Sequence, residues 1–146
     1  MNTLHGQCHC GNLRIDLRTA STPSQLQPRA CDCGFCTRHG AAWVSDPHGR
    51  LDITVQDQAA LGDYRQGANL ARFLLCRHCG VLVAVEREEA DGRFAAVNAR
   101  CLDDAASLPA AVTASPQRLS ADEKQARWRQ LWIADVHWHS ARDGRS

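Results

Sequence analysis

Seven of the eight cysteines in this chain fall into three tight clusters. These are Cys8-His9-Cys10, the run Cys31-Asp32-Cys33-Gly34-Phe35-Cys36, and Cys76-Arg77-His78-Cys79; Cys101 stands alone. Thiols grouped in this way are disulfide frameworks in an oxidising compartment and metal ligands or catalytic groups in a reducing one. The opening residues Met1 to Gly6 carry neither a basic region nor an apolar core, so no secretory signal is expected. No stretch approaches the roughly 18 consecutive apolar residues of a membrane helix. A cytoplasmic location with no membrane partner is therefore expected, and with it a metal-binding role for the cysteines.

At 146 residues the chain is expected to form a single domain, 1–146, long enough to bury a core without needing metal merely because it is small. Apolar residues at 44% and charged residues at 23% are ordinary for a globular protein. The formal net charge of +1 argues against nucleic acid as a partner, since phosphate binding needs a concentrated basic face. Lys124 is the sole lysine, a bias that codon usage explains more simply than function does.

Apolar alternation marks the strands. Leu13, Ile15 and Leu17 alternate with polar residues, as do Leu51, Ile53 and Val55. Residues 41–45, 71–75, 81–85 and 94–97 form short apolar runs, the first ended by the turn cluster Asp46-Pro47-His48-Gly49. This spacing predicts a mainly β fold of antiparallel sheets packed as a sandwich or tent. Ser120 and Glu123 fit a capping box, predicting a short C-terminal helix to about Gln130. Leu102 to Leu108 can add a helical turn, 109–116 reads as an exposed loop, and the polar tail after His139 as frayed.

Structural zinc takes four ligands in a tetrahedron, and a Cys pair supplies only two. Cys76 and Cys79 sit between two apolar runs and precede Gly80, the pattern of a hairpin knuckle; Cys8 and Cys10 precede Gly11 and a strand. Pairing the two would give a site of Cys8, Cys10, Cys76 and Cys79 that closes a loop of more than 60 residues. The alternative pairing joins Cys76 and Cys79 to the middle cluster and leaves the first pair free. On the first pairing, Cys31, Cys33 and Cys36 remain as three ligands with an open fourth position, the pattern of a catalytic zinc. Three thiolates leave such a centre with a net negative charge, which weakens its power to acidify water. A site that binds a substrate thiol is then more attractive than a zinc-hydroxide hydrolase. Arg29, Arg38 and His39 flank the cluster and can supply offsetting donors.

The three clusters, in this order, resemble the glutathione-dependent formaldehyde-activating enzyme (GFA) family, which shares its domain with a centromere-associated (CENP-V) relative. The resemblance rests on C-x-C-G at Cys8 to Gly11, C-x-C-x-x-C at Cys31 to Cys36 and C-x-x-C-G at Cys76 to Gly80. It is helped by Arg38 to Trp43, Phe73, and Val97 to Asp103, and spans about residues 5–104, leaving 105–146 as a C-terminal extension. It implies a β-tent-like fold and assigns Cys8, Cys10, Cys76 and Cys79 to a structural zinc, and Cys31, Cys33 and Cys36 to a catalytic one. It further implies a carbon–sulfur lyase of the S-(hydroxymethyl)glutathione synthase type, with glutathione as co-substrate and an aldehyde as its partner. Gly34-Phe35 and the Trp-rich C-terminus depart from commoner members.

Arg38, His39 and Trp43 are candidates for the substrate pocket. Cys101 is expected to be a buried thiol, and His9 and His78 to face solvent within the knuckles. His137-Trp138-His139 is expected on a surface strand, and Trp128, Trp132 and Trp138 over a sheet. Two other readings compete with the lyase. One is a thiol redox enzyme similar to methionine sulfoxide reductase, with one zinc and a nucleophile at Cys33 or Cys101; the other is a non-catalytic zinc module that binds protein or nucleic acid. The oligomeric state is not encoded in any of these features.

Overall fold

Strands β1 (Asn2–Gln7) and β2 (Leu13–Thr19) form a hairpin in which Leu4 faces Leu17 and Gly6 faces Ile15. The computed structural model describes residues 1–66, 71–90 and 92–141. Strand β5 (Arg50–Val55) pairs antiparallel with β2, setting Ile15 opposite Ile53 and Leu17 opposite Leu51. The last strand, β11 (Asp135–Ser140), closes this four-stranded sheet by running parallel to β5. The alternation read in the sequence is the inner face: Leu13, Ile15, Leu17, Leu51, Ile53 and Val55 are all buried.

The second sheet has seven strands in the order β10-β3-β4-β9-β8-β7-β6. They are β3 (Arg29–Cys31), β4 (Trp43–Val44), β6 (Leu61–Arg65), β7 (Arg72–Cys76), β8 (Leu82–Glu89), β9 (Gly92–Asn98) and β10 (Val112–Ala114). Leu74, Ala95 and Val97 join Leu4, Ile15, Leu51 and Ile53 in one core, so the two sheets pack face to face. Phe73 and Ala96, their immediate neighbours, belong to a second core with Trp43, Trp128 and Trp132. The centre of the larger sheet is thus buried on both sides, which is why 81–85 and 94–97 are continuous apolar runs rather than alternating ones.

Helix α1 (Gly34–His39) begins at Cys33, whose sulfur accepts the Cys36 N–H, and ends on Gly40 in the left-handed conformation (φ 61°). Helix α2 (Ala121–Leu131) starts at the predicted capping box, with Ser120 accepting from the Glu123 N–H and Glu123 accepting from the Ser120 N–H. It covers the outer face of the larger sheet through Trp128 and Trp132.

The fold departs from expectation in particular places. The sheets are mainly but not wholly antiparallel: β10 runs parallel to β3 and β11 parallel to β5, because both late segments return to sheet edges. The 109–116 loop holds β10, kept in place by pairing with β3 although Val112 is exposed. The Leu102 to Leu108 region contains a 3-10 turn at Ala105–Ser107. The frayed-tail expectation applies partly to residues 142–146, which lie outside the described residues, while His139 and Ser140 belong to β11. No helix among the described residues is long and apolar enough to cross a membrane.

Candidate metal centres and active-site cavity

The first and third cysteine pairs sit in equivalent turns. In the β1/β2 hairpin the Cys8 N–H donates to the Leu13 carbonyl (2.9 Å), and in the β7/β8 hairpin the Cys76 N–H donates to the Val81 carbonyl (3.1 Å). Each turn ends on a glycine at positive φ, Gly11 at 86° and Gly80 at 78°, a backbone conformation that side chains disfavour. The Leu13 N–H points at the Cys8 sulfur (3.3 Å), so this turn directs a backbone donor at a sulfur as well as at oxygen.

One hairpin belongs to each sheet, and their sulfurs meet. Cys8, Cys10, Cys76 and Cys79 have all four Sγ atoms within 4.8 Å of one another. Cys8 and Cys10 are 3.8 Å apart, and Cys10 and Cys76 are 3.5 Å apart. A tetrahedron with metal–sulfur bonds of about 2.3 Å has edges of about 3.8 Å, so the donor set fits a zinc ion. Cys79 is held down to about 6: its burial opposes the charge, but N–H groups of Cys10 and Val81 and the thiols of Cys76 and Cys8 outweigh it. Cys101 lies beside this cluster, pushed up to about 11 by burial and by the neighbouring Cys8 and Cys79 charges; its thiol donates to the Leu82 carbonyl (3.3 Å).

Cys31, Cys33 and Cys36 form a second group, again with sulfurs within 4.8 Å of one another. Cys31 ends β3, Cys33 caps α1, and Cys36 lies one turn into the helix, so a strand-to-helix corner gathers the three. Cys31 is lowered to about 6, chiefly by donation from the Cys36 thiol and then by the Cys33 backbone N–H, against the effect of burial. Cys36 is raised correspondingly, by Cys31 first and burial second. Cys33 accepts from the Cys36 N–H (3.4 Å) and from the Gln66 side-chain amide (3.3 Å). Such outer donors orient sulfur ligands and spread their charge.

These three cysteines line one wall of a cavity of about 280 Å³ between the outer face of the larger sheet and α2. None of the other five cysteines lines it. Trp43, Phe73, Trp128 and Trp132 form its aromatic walls, and Arg29, Lys124 and Arg127 bring three cations to it. Among the described residues no carboxylate is in the lining. Arg29 is held by Ser45 Oγ (2.7 Å), which itself donates to the Leu131 carbonyl at the end of α2 (2.7 Å). Burial and the nearby Arg127 charge both lower the Arg29 pKa.

Of the pocket candidates named from sequence, Trp43 faces this cavity, and Arg38 and His39 do not line it. Both are exposed; Arg38 folds back onto the Gly34 carbonyl (2.9 Å), and His39 packs against the Phe35 ring. His9 and His78 are exposed, with His78 against Asp57 (3.1 Å). His137 and His139 lie on β11, beside Asp135 and Asp52 respectively. Sequence reasoning missed Gln66, Lys124 and Arg127. The last two had a legible signal, because Lys124, Arg127, Trp128 and Leu131 fall at helical spacing on one face of α2.

A family model described as "Glutathione-dependent formaldehyde-activating enzyme" matches residues 3–117. The chain belongs to the GFA family. The match extends beyond the 5–104 span of the recognisable motifs and includes all eight cysteines, but ends before α2. No curated protein matches the chain. A structural-genomics crystal structure of a Rhodobacter sphaeroides protein is similar in fold, with a TM-score of 0.53 and 24% identity over 92% of this chain and 98% of that one. Within this GFA chain, the part shared with the family model supplies both sulfur groups, and the extension supplies the cavity's remaining wall.

Proposed function

We propose that this GFA chain is a zinc-dependent carbon–sulfur lyase that handles adducts of a glutathione-type thiol with an aldehyde. The observation that supports it is the division of the cysteines: three open onto a cation-lined cavity, and four are gathered at the junction of two hairpins away from it. Zinc held by Cys31, Cys33 and Cys36 would supply a Lewis acid and a seat for a substrate sulfur. Zinc held by Cys8, Cys10, Cys76 and Cys79 would be structural, giving two ions per chain.

The chain's own groups then have defined tasks. Gln66 and the Cys36 N–H fix the Cys33 sulfur and draw off part of its charge. Arg29, Lys124 and Arg127 offset the negative charge of three thiolates and an incoming fourth. The indoles of Trp43, Trp128 and Trp132 exclude water from the sulfur wall. The reaction forms a bond between thiol sulfur and carbonyl carbon, and the thiol proton ends on the carbonyl oxygen; the reverse direction cleaves the same bond. The same reading includes a β-tent fold, one domain over 1–146 and a reducing, cytoplasmic setting. None of the eight cysteines forms a disulfide, which leaves them available as ligands.

Metal analysis tests the proposal directly. The parent protein is expected to hold about two zincs, and Cys33→Ser to remain folded with about one zinc and no lyase activity. Cys33→Ser that keeps both its metal and its turnover sinks the proposal. One zinc in the parent together with methionine sulfoxide reduction would favour the redox alternative.

A further inference from the structure

The cavity is compact and sets an aromatic wall against a cationic one. Its volume of about 280 Å³ lies near the lower end of the ~300–1,000 Å³ usual for small-molecule sites. Four aromatic side chains wall it, and Trp128 and Trp132 stack on each other with ring centroids 4.9 Å apart at 26°. Set against this apolar wall are Arg29, Lys124 and Arg127, three cations with no lining carboxylate among the described residues. None of the three forms an ion pair with a carboxylate among the described residues. Like charges gathered at a partly enclosed surface repel one another, and an anion bound between them relieves that repulsion.

One element contributes to both parts of this arrangement, alongside Arg29, Trp43 and Phe73 from the larger sheet. Helix α2 presents Lys124, Arg127, Trp128 and Leu131 at i, i+3, i+4 and i+7, so the cations and the indole share its inward face. Helix α2 begins at Ala121, beyond the 3–117 span of the family match. The Ser45 bridge from Arg29 to the Leu131 carbonyl fixes the end of this helix against the sheet.

We infer that α2 builds a subsite for an amphipathic anion. Its cations Lys124 and Arg127 hold a carboxylate, and Trp128 with Trp132 just past the helix end holds an apolar, ring-sized group, so the preferred substrate is a carboxylate-bearing adduct of an aromatic or bulky aliphatic aldehyde rather than of formaldehyde. Lys124 and Arg127 are specificity-determining residues on this account. The inference deepens the preceding proposal and rests on it for the chemistry at the sulfurs, but binding at α2 can be measured separately.

The test uses zinc-loaded full-length protein and calorimetric titration with three probes: 3-phenylpropanoate, propanoate and 3-phenylpropan-1-ol. The first has both features, and each of the others lacks one. The expected result is that 3-phenylpropanoate binds at least about tenfold more tightly than either. Lys124→Gln and Arg127→Gln, both at partly exposed helix positions, should each weaken its binding by about three- to tenfold and leave the alcohol unchanged. Circular dichroism establishes that each variant is folded. Equal binding of acid and alcohol, or unchanged binding in both variants, overturns the inference. None of the probes carries a thiol or an aldehyde. Failure of the lyase reading, seen in the metal and turnover of Cys33→Ser, therefore leaves this result standing, and the reverse also holds.

Discussion

Gly6 and Gly80 are small for different reasons, and the difference is measurable. Gly80 holds a φ of 78° at the third cysteine cluster, but a Cβ there meets nothing within 4 Å. Gly80→Ala should therefore cost only the backbone strain, about 1–2 kcal/mol. At Gly6 a Cβ would stand 2.4 Å from the Cys101 carbonyl oxygen, against backbone that cannot rotate away. Gly6→Ala should destabilise more than Gly80→Ala, and urea midpoints with unchanged slopes will show it. A second residue-level test concerns Cys31. In protein that has lost only the ion of the three-cysteine site and keeps its folded β signal, the Cys31 thiolate is favoured down to about 6, so iodoacetamide labelling of Cys31 should persist at neutral pH and fade as pH falls through about 6. Cys36, shifted the opposite way, should resist labelling at neutral pH. Mass spectrometry of peptides labelled at a series of pH values separates the two.

At the scale of elements, β11 is tied to the larger sheet by a buried carboxylate. Glu86 on β8 is 1% exposed; it accepts from Arg72 on β7 (2.7 Å) and from the Trp138 indole on β11 (2.6 Å). The Arg72 guanidinium also lies over the Trp138 ring, 5.2 Å from its centroid. Trp138→Phe keeps a ring there but removes the indole donor, and should destabilise by about 1–3 kcal/mol in thermal or chemical unfolding. Ser120→Ala breaks the α2 capping box and should cost about 1 kcal/mol, with faster amide exchange in α2 than in the sheets. Such elements were legible to different degrees. Strands β2 and β5 announced themselves because one face is core and the other solvent. Strands β1, β6 and β10 did not, because they are held by pairing more than by apolar burial; in β6 only Gly62 is fully buried. Helix α1 escaped notice because its cap is a cysteine sulfur, whereas capping rules look for oxygen. The cysteine groups were readable from spacing alone. The shared face of Lys124, Arg127 and Trp128 on α2 was readable from helical spacing too, but not its destination, because only tertiary packing brings residues 124 and 127 across from residue 31.

For the whole molecule, the four-sulfur group joins the two sheets at their hairpin ends, while the three-sulfur group sits on the outer face of one sheet. Apparent binding energies of about 10–16 kcal/mol for structural zinc rival the roughly 5–15 kcal/mol of net stability a domain possesses. Stripping the metals with a strong chelator should therefore release zinc in two phases. The first should leave the melting temperature nearly unchanged, and the second should coincide with loss of the folded β signal. Simultaneous loss of both ions with full retention of structure would remove the structural role from the hairpin cluster.

The pairing of Cys10 with Cys76 spans 66 residues of sequence, and this has a consequence for biogenesis. At about 5–20 residues per second, a ribosome exposes the first pair roughly 3–13 s before the third. During that interval the nearest available thiols are those of Cys31, Cys33 and Cys36, so an ion captured early is offered the wrong company. On the proposed zinc assignment, an ion captured that early would have to exchange ligands as Cys76 and Cys79 emerge. Metal supply during translation, and not only afterwards, would on that assignment bear on how much correctly assembled protein a cell obtains.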